Sequence, residues 1–172
     1  GYDPNGGVNT GITAATSTGI TITMVADNDG NDNDNDGITD ELNEIETIQY
    51  DLYDADDDAD NDGFNDDNPA ITSMYSADGD NDIGRQVAGG KSAIAENIEA
   101  IEYFYILEDG TSTLTPTAAQ LDDIRSIQLS ILVRSGYPVK KLTNTSVYTS
   151  ASGIVWGPYD DNFRRVLLRT TI

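Results

Sequence analysis

Neither cysteine nor histidine occurs among the 172 residues. Without cysteine there is no disulfide framework and no thiolate metal site. Without histidine the chain lacks the usual general base, the Ser-His-Asp triad and the common zinc or copper ligand. No run of about 18 apolar residues occurs, so no stretch reads as a membrane-spanning helix. Gly1-Tyr2-Asp3-Pro4 has no signal-peptide character, so any export signal is expected to have been removed or to lie outside this chain. The fourth shortage is local. Twenty-two acidic residues precede Arg85 and no lysine or arginine does, whereas nine of each sign occur from Arg85 onward. The net charge of −22 therefore sits almost wholly on the first half. Such a field repels nucleic acid and anionic membrane, attracts cations, and opposes compaction unless cations neutralise part of it.

The length suits one globular domain over 1–172. Residues 11–26, GITAATSTGITITMVA, alternate and break at Ser17-Thr18-Gly19, which predicts two short strands around a turn. Residues 45–53, IETIQYDLY, place Ile48, Tyr50 and Leu52 on one face of a half-buried strand. Ala70–Tyr75 is a strand candidate, and 77–92 reads as a polar, Gly-rich connection. Ala95–Ala100 reads as a helical turn, Ile101–Leu107 as a strand, and Glu108-Asp109-Gly110 as a turn. Thr117–Asp123 reads as a short helix starting near Pro116. Ile124–Val133 alternates with Ile127, Leu129, Ile131 and Val133 on one face, and Phe163–Ile172 is strand-like. The expected fold is mainly β, of the α+β kind: antiparallel sheet, one or two short helices, and Asp-rich loops at 27–43 and 56–67.

Those loops carry one pattern twice, 26 residues apart. Asp32-Asn-Asp34-Asn-Asp36-Gly37-Ile38-Thr39-Asp40-Glu41 matches Asp58-Ala-Asp60-Asn-Asp62-Gly63-Phe64-Asn65-Asp66-Asp67 as D-x-D-x-D-G-apolar-x-D-acid. This is the front of an EF-hand-like calcium loop. Calcium takes six to eight hard oxygens at about 2.3–2.6 Å. Carboxylates on alternate residues converge when the loop curls, the glycine permits the sharp turn, and the next carbonyl points inward. Asp32, Asp34, Asp36 and Asp40 with the Ile38 carbonyl form the first candidate site. Asp58, Asp60, Asp62 and Asp66 with the Phe64 carbonyl form the second. Where the EF-hand has a bidentate glutamate, these loops have Asn43 and Pro69. Asn43 offers an amide oxygen, Pro69 offers no side-chain ligand, and Asp56, Asp57, Asp67, Glu41 and Glu44 are available as substitutes. No amphipathic helix pair flanks either loop, so the loops look like those of extracellular modules, with affinity of about 10⁻⁴–10⁻³ M. Solvated acidic loops are the plainer explanation of such runs, but they do not account for the duplicated phase or the two glycines. Asp78-Gly-Asp80-Asn-Asp82 lacks the glycine and is a weaker third candidate, better read as solvated. Two calcium ions are expected, with a third site open.

Other constellations fail. Gly84 and Gly89-Gly90-Lys91-Ser92 give G-x5-G-K-S, one residue too long for a phosphate-binding loop, and a surface loop is expected. Acid pairs such as Asp122-Asp123 and Asp160-Asp161 are expected by composition in so acidic a chain and do not single out a glycosidase pair. No catalytic residue is assigned. Trp156-Gly157-Pro158-Tyr159 reads as aromatic packing beside a turn rather than a sugar platform. Arg164 and Arg165 should alternate faces, one exposed and one paired with an acid.

Several segments together resemble the PilW-like minor pilins of type IV pili, relatives of the J-type minor pseudopilin of type II secretion. Gly1-Tyr2-Asp3-Pro4 resembles the end of the family's "DIRMAGYDP" junction. Ala95–Tyr103 resembles "AENIEAL.F". Asp123-Ile124-Arg125-Ser126-Ile127-Gln128-Leu129 with Val133-Arg134-Ser135-Gly136 resembles "DIRAVQI…VRTG". Asn162–Thr171 resembles the closing "YRRRLLSTTVRLRN" strand. The resemblance runs through 1–26 and 85–172 and leaves out the calcium loops. It implies a pilin head whose sheet packs on the C-terminal part of a long N-terminal helix, absent from this chain. It further implies a non-enzymatic role in pilus initiation or tip assembly. The implied partners are other minor pilins or pseudopilins, with membrane contact only through that helix. The location is then the cell surface, at a pilus tip, or a periplasmic pseudopilus. A secreted calcium-dependent adhesin or carbohydrate-binding module is the alternative, and a hydrolase the least supported.

Overall fold

The computed structural model describes residues 11–25, 45–53, 81–87 and 90–172. They form β1 (Gly11–Ala15), β2 (Gly19–Val25), β3 (Ile45–Tyr53), β4 (Asn81–Val87), β5 (Gly90–Leu107), β6 (Ser112–Thr113), a 3-10 helix (Ala118–Asp123), β7 (Ile124–Arg134), β8 (Tyr148–Thr149), β9 (Val155–Trp156) and β10 (Arg165–Thr171). Eight strands make one antiparallel sheet in the order β1-β2-β3-β4-β5-β7-β10, with β6 also on β5. A separate β8-β9 hairpin lies apart from it. The protein is mainly β, as the alternating patterns require.

β5 organises the molecule. Along one side it pairs with β7 from Ile98 to Leu107. Along the other it meets β4 at its start and β6 near its end. The gap between β4 and β6 is filled by the β1–β2 turn: the Tyr103 N–H donates to the Ser17 carbonyl at 2.8 Å. The Tyr105 hydroxyl donates to the carbonyls of Thr16 and Gly19, at 2.9 and 3.0 Å. The sheet thus coils until its first hairpin touches its middle. Inside the coil Ile20, Ile83, Ile98, Ile101, Tyr103, Tyr105 and Ile127 form the main core. Burial pushes the Tyr103 hydroxyl up to about 12, helped by Asp51, and raises Tyr105 further. On the opposite face Ala100, Leu132 and Trp156 form a second core with Tyr148, Tyr159 and Leu167 packed around it. β5 and β7 are therefore covered on both faces. Leu132, pointing away from the apolar row at Ile127, Leu129, Ile131 and Val133, is fully buried.

Three expectations are corrected. Ala95–Ala100 is not a helical turn but part of β5. There the ladder slips against both neighbours, and Asn97 takes a positive φ of 62°. Alanine and glutamate favour a helix locally, but pairing on two sides overrides that preference. The bulge sits against Gly136, where a Cβ would come within 2.8 Å of Asn97 Oδ1. The 77–92 connection contains β4 and the start of β5. Lys91 and Ser92, expected on a surface loop, lie in β5, and Lys91 is buried. The helix expected at Thr117–Asp123 is present as a 3-10 helix entered through a Thr117–Gln120 capping box. The strand expected at Ala70–Tyr75 lies outside the described residues.

Candidate functional site

The first candidate site (Asp32, Asp34, Asp36, Ile38, Asp40, Asn43) and the second (Asp58, Asp60, Asp62, Phe64, Asp66) lie outside the described residues, as do Asp78 and Asp80. What the fold fixes is where the chain departs to reach them and where it returns. Val25 at the end of β2 is registered opposite Ile45 at the start of β3. Tyr53 at the end of β3 is registered opposite Asp82 in β4. The first motif thus belongs to the β2–β3 connection and the second to the β3–β4 connection. They are anchored at opposite ends of β3, roughly 30 Å apart for nine residues of strand. The third candidate shares the β3–β4 connection with the second. Its last carboxylate, Asp82, is buried within β4 rather than standing in a solvent loop. Among the described residues no three acidic side chains gather at one point.

β3 also carries the first half's contacts with cations. Glu46 Oε1 lies 3.6 Å from Arg85 Nη2 across the β3–β4 ladder. Asp51 Oδ2 receives Lys91 Nζ at 3.2 Å and Gln49 Nε2 at 2.5 Å. This group lines a cleft of about 460 Å³ with Thr16, Thr18, Thr21 and Gln86. The Lys91 ammonium is committed to Asp51 there, and its side chain is only 2% exposed.

Two polar clusters stand out, one foreshadowed by the expected pairing of Arg164 or Arg165 with an acid and one that escaped the sequence reading. Arg165, facing inward from β10, is clamped between two carboxylates. Its Nε and Nη2 lie 2.9 and 2.8 Å from Glu99 Oε2, while Nη1 and Nη2 donate to Asp161 at 2.6 and 2.7 Å. The guanidinium also lies 3.8 Å from the Tyr159 ring centroid. Burial raises the Glu99 carboxyl although Arg165 opposes it, whereas the Arg165 hydrogen bond holds Asp161 below its usual range. Arg164 is exposed, as the alternation required. In the second cluster the buried Glu102 carboxylate accepts from Ser150 Oγ (2.7 Å), Ser152 Oγ (2.6 Å) and Ser152 N–H (3.0 Å). These bonds bind the 150–154 turn to β5. The signal for both was present: Glu99 and Glu102 each stand between apolar residues within β5, where a carboxylate must find donors.

Asp161 is occupied by Arg165, and Trp156 is 8% exposed inside the second core. The aromatic-packing reading of Trp156–Tyr159 therefore describes the segment, and no indole face is open to stack a sugar. Comparison with family models, curated proteins and solved structures gave no match to this chain.

Proposed function

We propose that the protein is a structural, calcium-binding head domain of the minor-pilin kind, working by assembly with other subunits and not by catalysis. The observation that carries the calcium reading is the placement of the motifs. Both occupy connections between strands that pair directly, β2 with β3 and β3 with β4. Folding brings the ends of each acid-rich connection together, and no lysine or arginine precedes Arg85 to neutralise them. Bound calcium would remove that repulsion and bind only the folded state, stabilising it by about 1.4 kcal/mol per site at ten times Kd.

The assembly reading draws on the resemblance and on the sheet surface. On the core face of the sheet, Ile131 and Val133 of β7 are half-buried. Their cross-strand partners on β10, Leu168 and Val166, are 52% and 49% exposed. That apolar strip is of the kind a sheet presents to a packed helix. With Trp156 buried, the carbohydrate-binding alternative loses its tryptophan platform.

Calorimetric titration with CaCl2 tests the metal reading, with MgCl2 as control. Two calcium equivalents are expected in the parent chain, and one in each of Asp34→Asn and Asp60→Asn. Because the anchors are a strand length apart, the two losses should be additive. Absence of calcium heat in the parent at millimolar concentration contradicts it. For the pilin reading, the coding sequence upstream of Gly1 should specify a Gly/Ala-Phe-Thr-x-x-Glu prepilin site and about 20 apolar residues. A conventional signal peptide or tandem copies of this domain would favour the adhesin instead.

A further inference from the structure

β10 ends the sheet on the side away from β1, and among the described residues no strand lies along its outer side. The phase of its ladder is set by Ile127 and Ile172, which exchange both backbone bonds at 2.7 and 3.0 Å. Bonded and non-bonded pairs alternate in an antiparallel ladder. Val166, Leu168 and Thr170 therefore bond to β7, and the N–H and C=O groups of Leu167, Arg169 and Thr171 point outward. Arg164, whose carbonyl accepts from the Ser135 N–H at 2.8 Å, keeps the same phase.

An open edge of this kind is ordinarily blunted by proline, a bulge or an inward-pointing charge beside the open groups. β10 contains no proline, its register against β7 is unbroken, and its one inward charge, Arg165, is neutralised inside the fold by Glu99 and Asp161. Besides Thr170 and Thr171, its exposed side chains are of two kinds. Val166 and Leu168 are apolar, with Ile172 just beyond them, while Arg169 and the preceding Arg164 are cationic. β10 carries no acid at all, in a chain of net charge −22. The edge is thus a local reversal of the molecule's sign.

We propose that β10 is a docking edge for an extended, acidic segment of a partner polypeptide, which adds to the sheet as a further strand. The outward N–H and C=O groups of Leu167, Arg169 and Thr171 supply the main-chain bonds. Carboxylates of the partner meet Arg169 on one face, and its alternate apolar side chains continue the surface begun by Val166 and Leu168 on the other. A different protein is favoured over a second copy because two molecules of this charge repel each other.

The test uses the whole chain and two synthetic peptides, one alternating valine with glutamate and one alternating valine with lysine. Amide exchange at single-residue resolution should show slowing at Leu167, Arg169 and Thr171 with the glutamate peptide and none with the lysine peptide. Arg169→Glu, at an exposed position, should weaken the glutamate peptide about tenfold, and Arg164→Glu, on the apolar face, should weaken it less. Added salt should weaken it further. Three results would overturn the proposal: protection at β1 instead of β10, equal binding of both peptides, or no slowing at these amides. Self-association of the chain with β10 protected in the absence of peptide would also overturn it, by placing a second copy on this edge.

Discussion

Arg165 gathers charged and aromatic partners around a single side chain. Its side chain is 2% exposed and answers two carboxylates and an aromatic ring from two different segments, β5 and the stretch before β10. Replacing it by methionine leaves Glu99 buried and unpaired, which should cost about 3–5 kcal/mol in urea unfolding. A loss below 1 kcal/mol would show that the cluster relaxes into water. Asp161 gives a pH test. Its carboxyl is held below the ordinary value of 3.8 by Arg165. Its contribution is therefore complete above that value and lost as pH falls through the depressed one. Asp161→Asn should flatten the acid limb of the stability profile and leave the neutral region parallel to the parent. Buried Tyr105 contributes to the alkaline limb, and so does Tyr103. With its hydroxyl raised from 10 to about 12, its contribution is full below pH 10 and disappears as pH rises through 12. Tyrosinate absorbance should therefore rise late and together with unfolding.

The coil of the sheet depends on contacts between elements far apart in sequence. Tyr105→Phe removes the hydroxyl that ties β5 to the β1–β2 turn, leaving the carbonyls of Thr16 and Gly19 without that donor. The expected loss is about 1–3 kcal/mol, with the hairpin's amides losing protection first. Strands with strict alternation were legible in the sequence. Ile45–Tyr53 begins and ends where the pattern did, and Ile124–Arg134 differs by one residue. Period two is imposed by the pleat and survives any context. What was not legible depended on partners distant in the chain. β4, NDIGRQV, has no alternation of its own and is a strand because β3 and β5 flank it. Asn97 looks helical until two ladders hold it in a bulge. The second core was hidden because its members, Ala100, Leu132 and Trp156, come from three segments and the polar positions Glu102 and Ser130 share their face of the sheet. Of the candidate metal site, the ligand types and spacing are sequence properties. Its separation into two anchor points required the sheet order.

The whole molecule divides by charge more sharply than by structure. One sheet runs through both halves, and acids before Arg85 meet cations where β4 and β5 reach across, at Glu46–Arg85 and Asp51–Lys91. Most of the rest of that charge lies on the two connections of β3. Stability should therefore depend on the ionic surroundings, with monovalent salt screening the repulsion weakly and calcium relieving it at specific positions.

The most direct test is thermal unfolding in chelator and then across micromolar to tens of millimolar CaCl2, with MgCl2 at matched ionic strength. Calcium should raise the midpoint by about 3–6 °C per site at ten times Kd, with onset near 10⁻⁴–10⁻³ M and no comparable rise in magnesium. A midpoint that moves equally with both ions, or with neither, would mean that the Asp-rich connections are solvated loops and that calcium has no structural place in this fold.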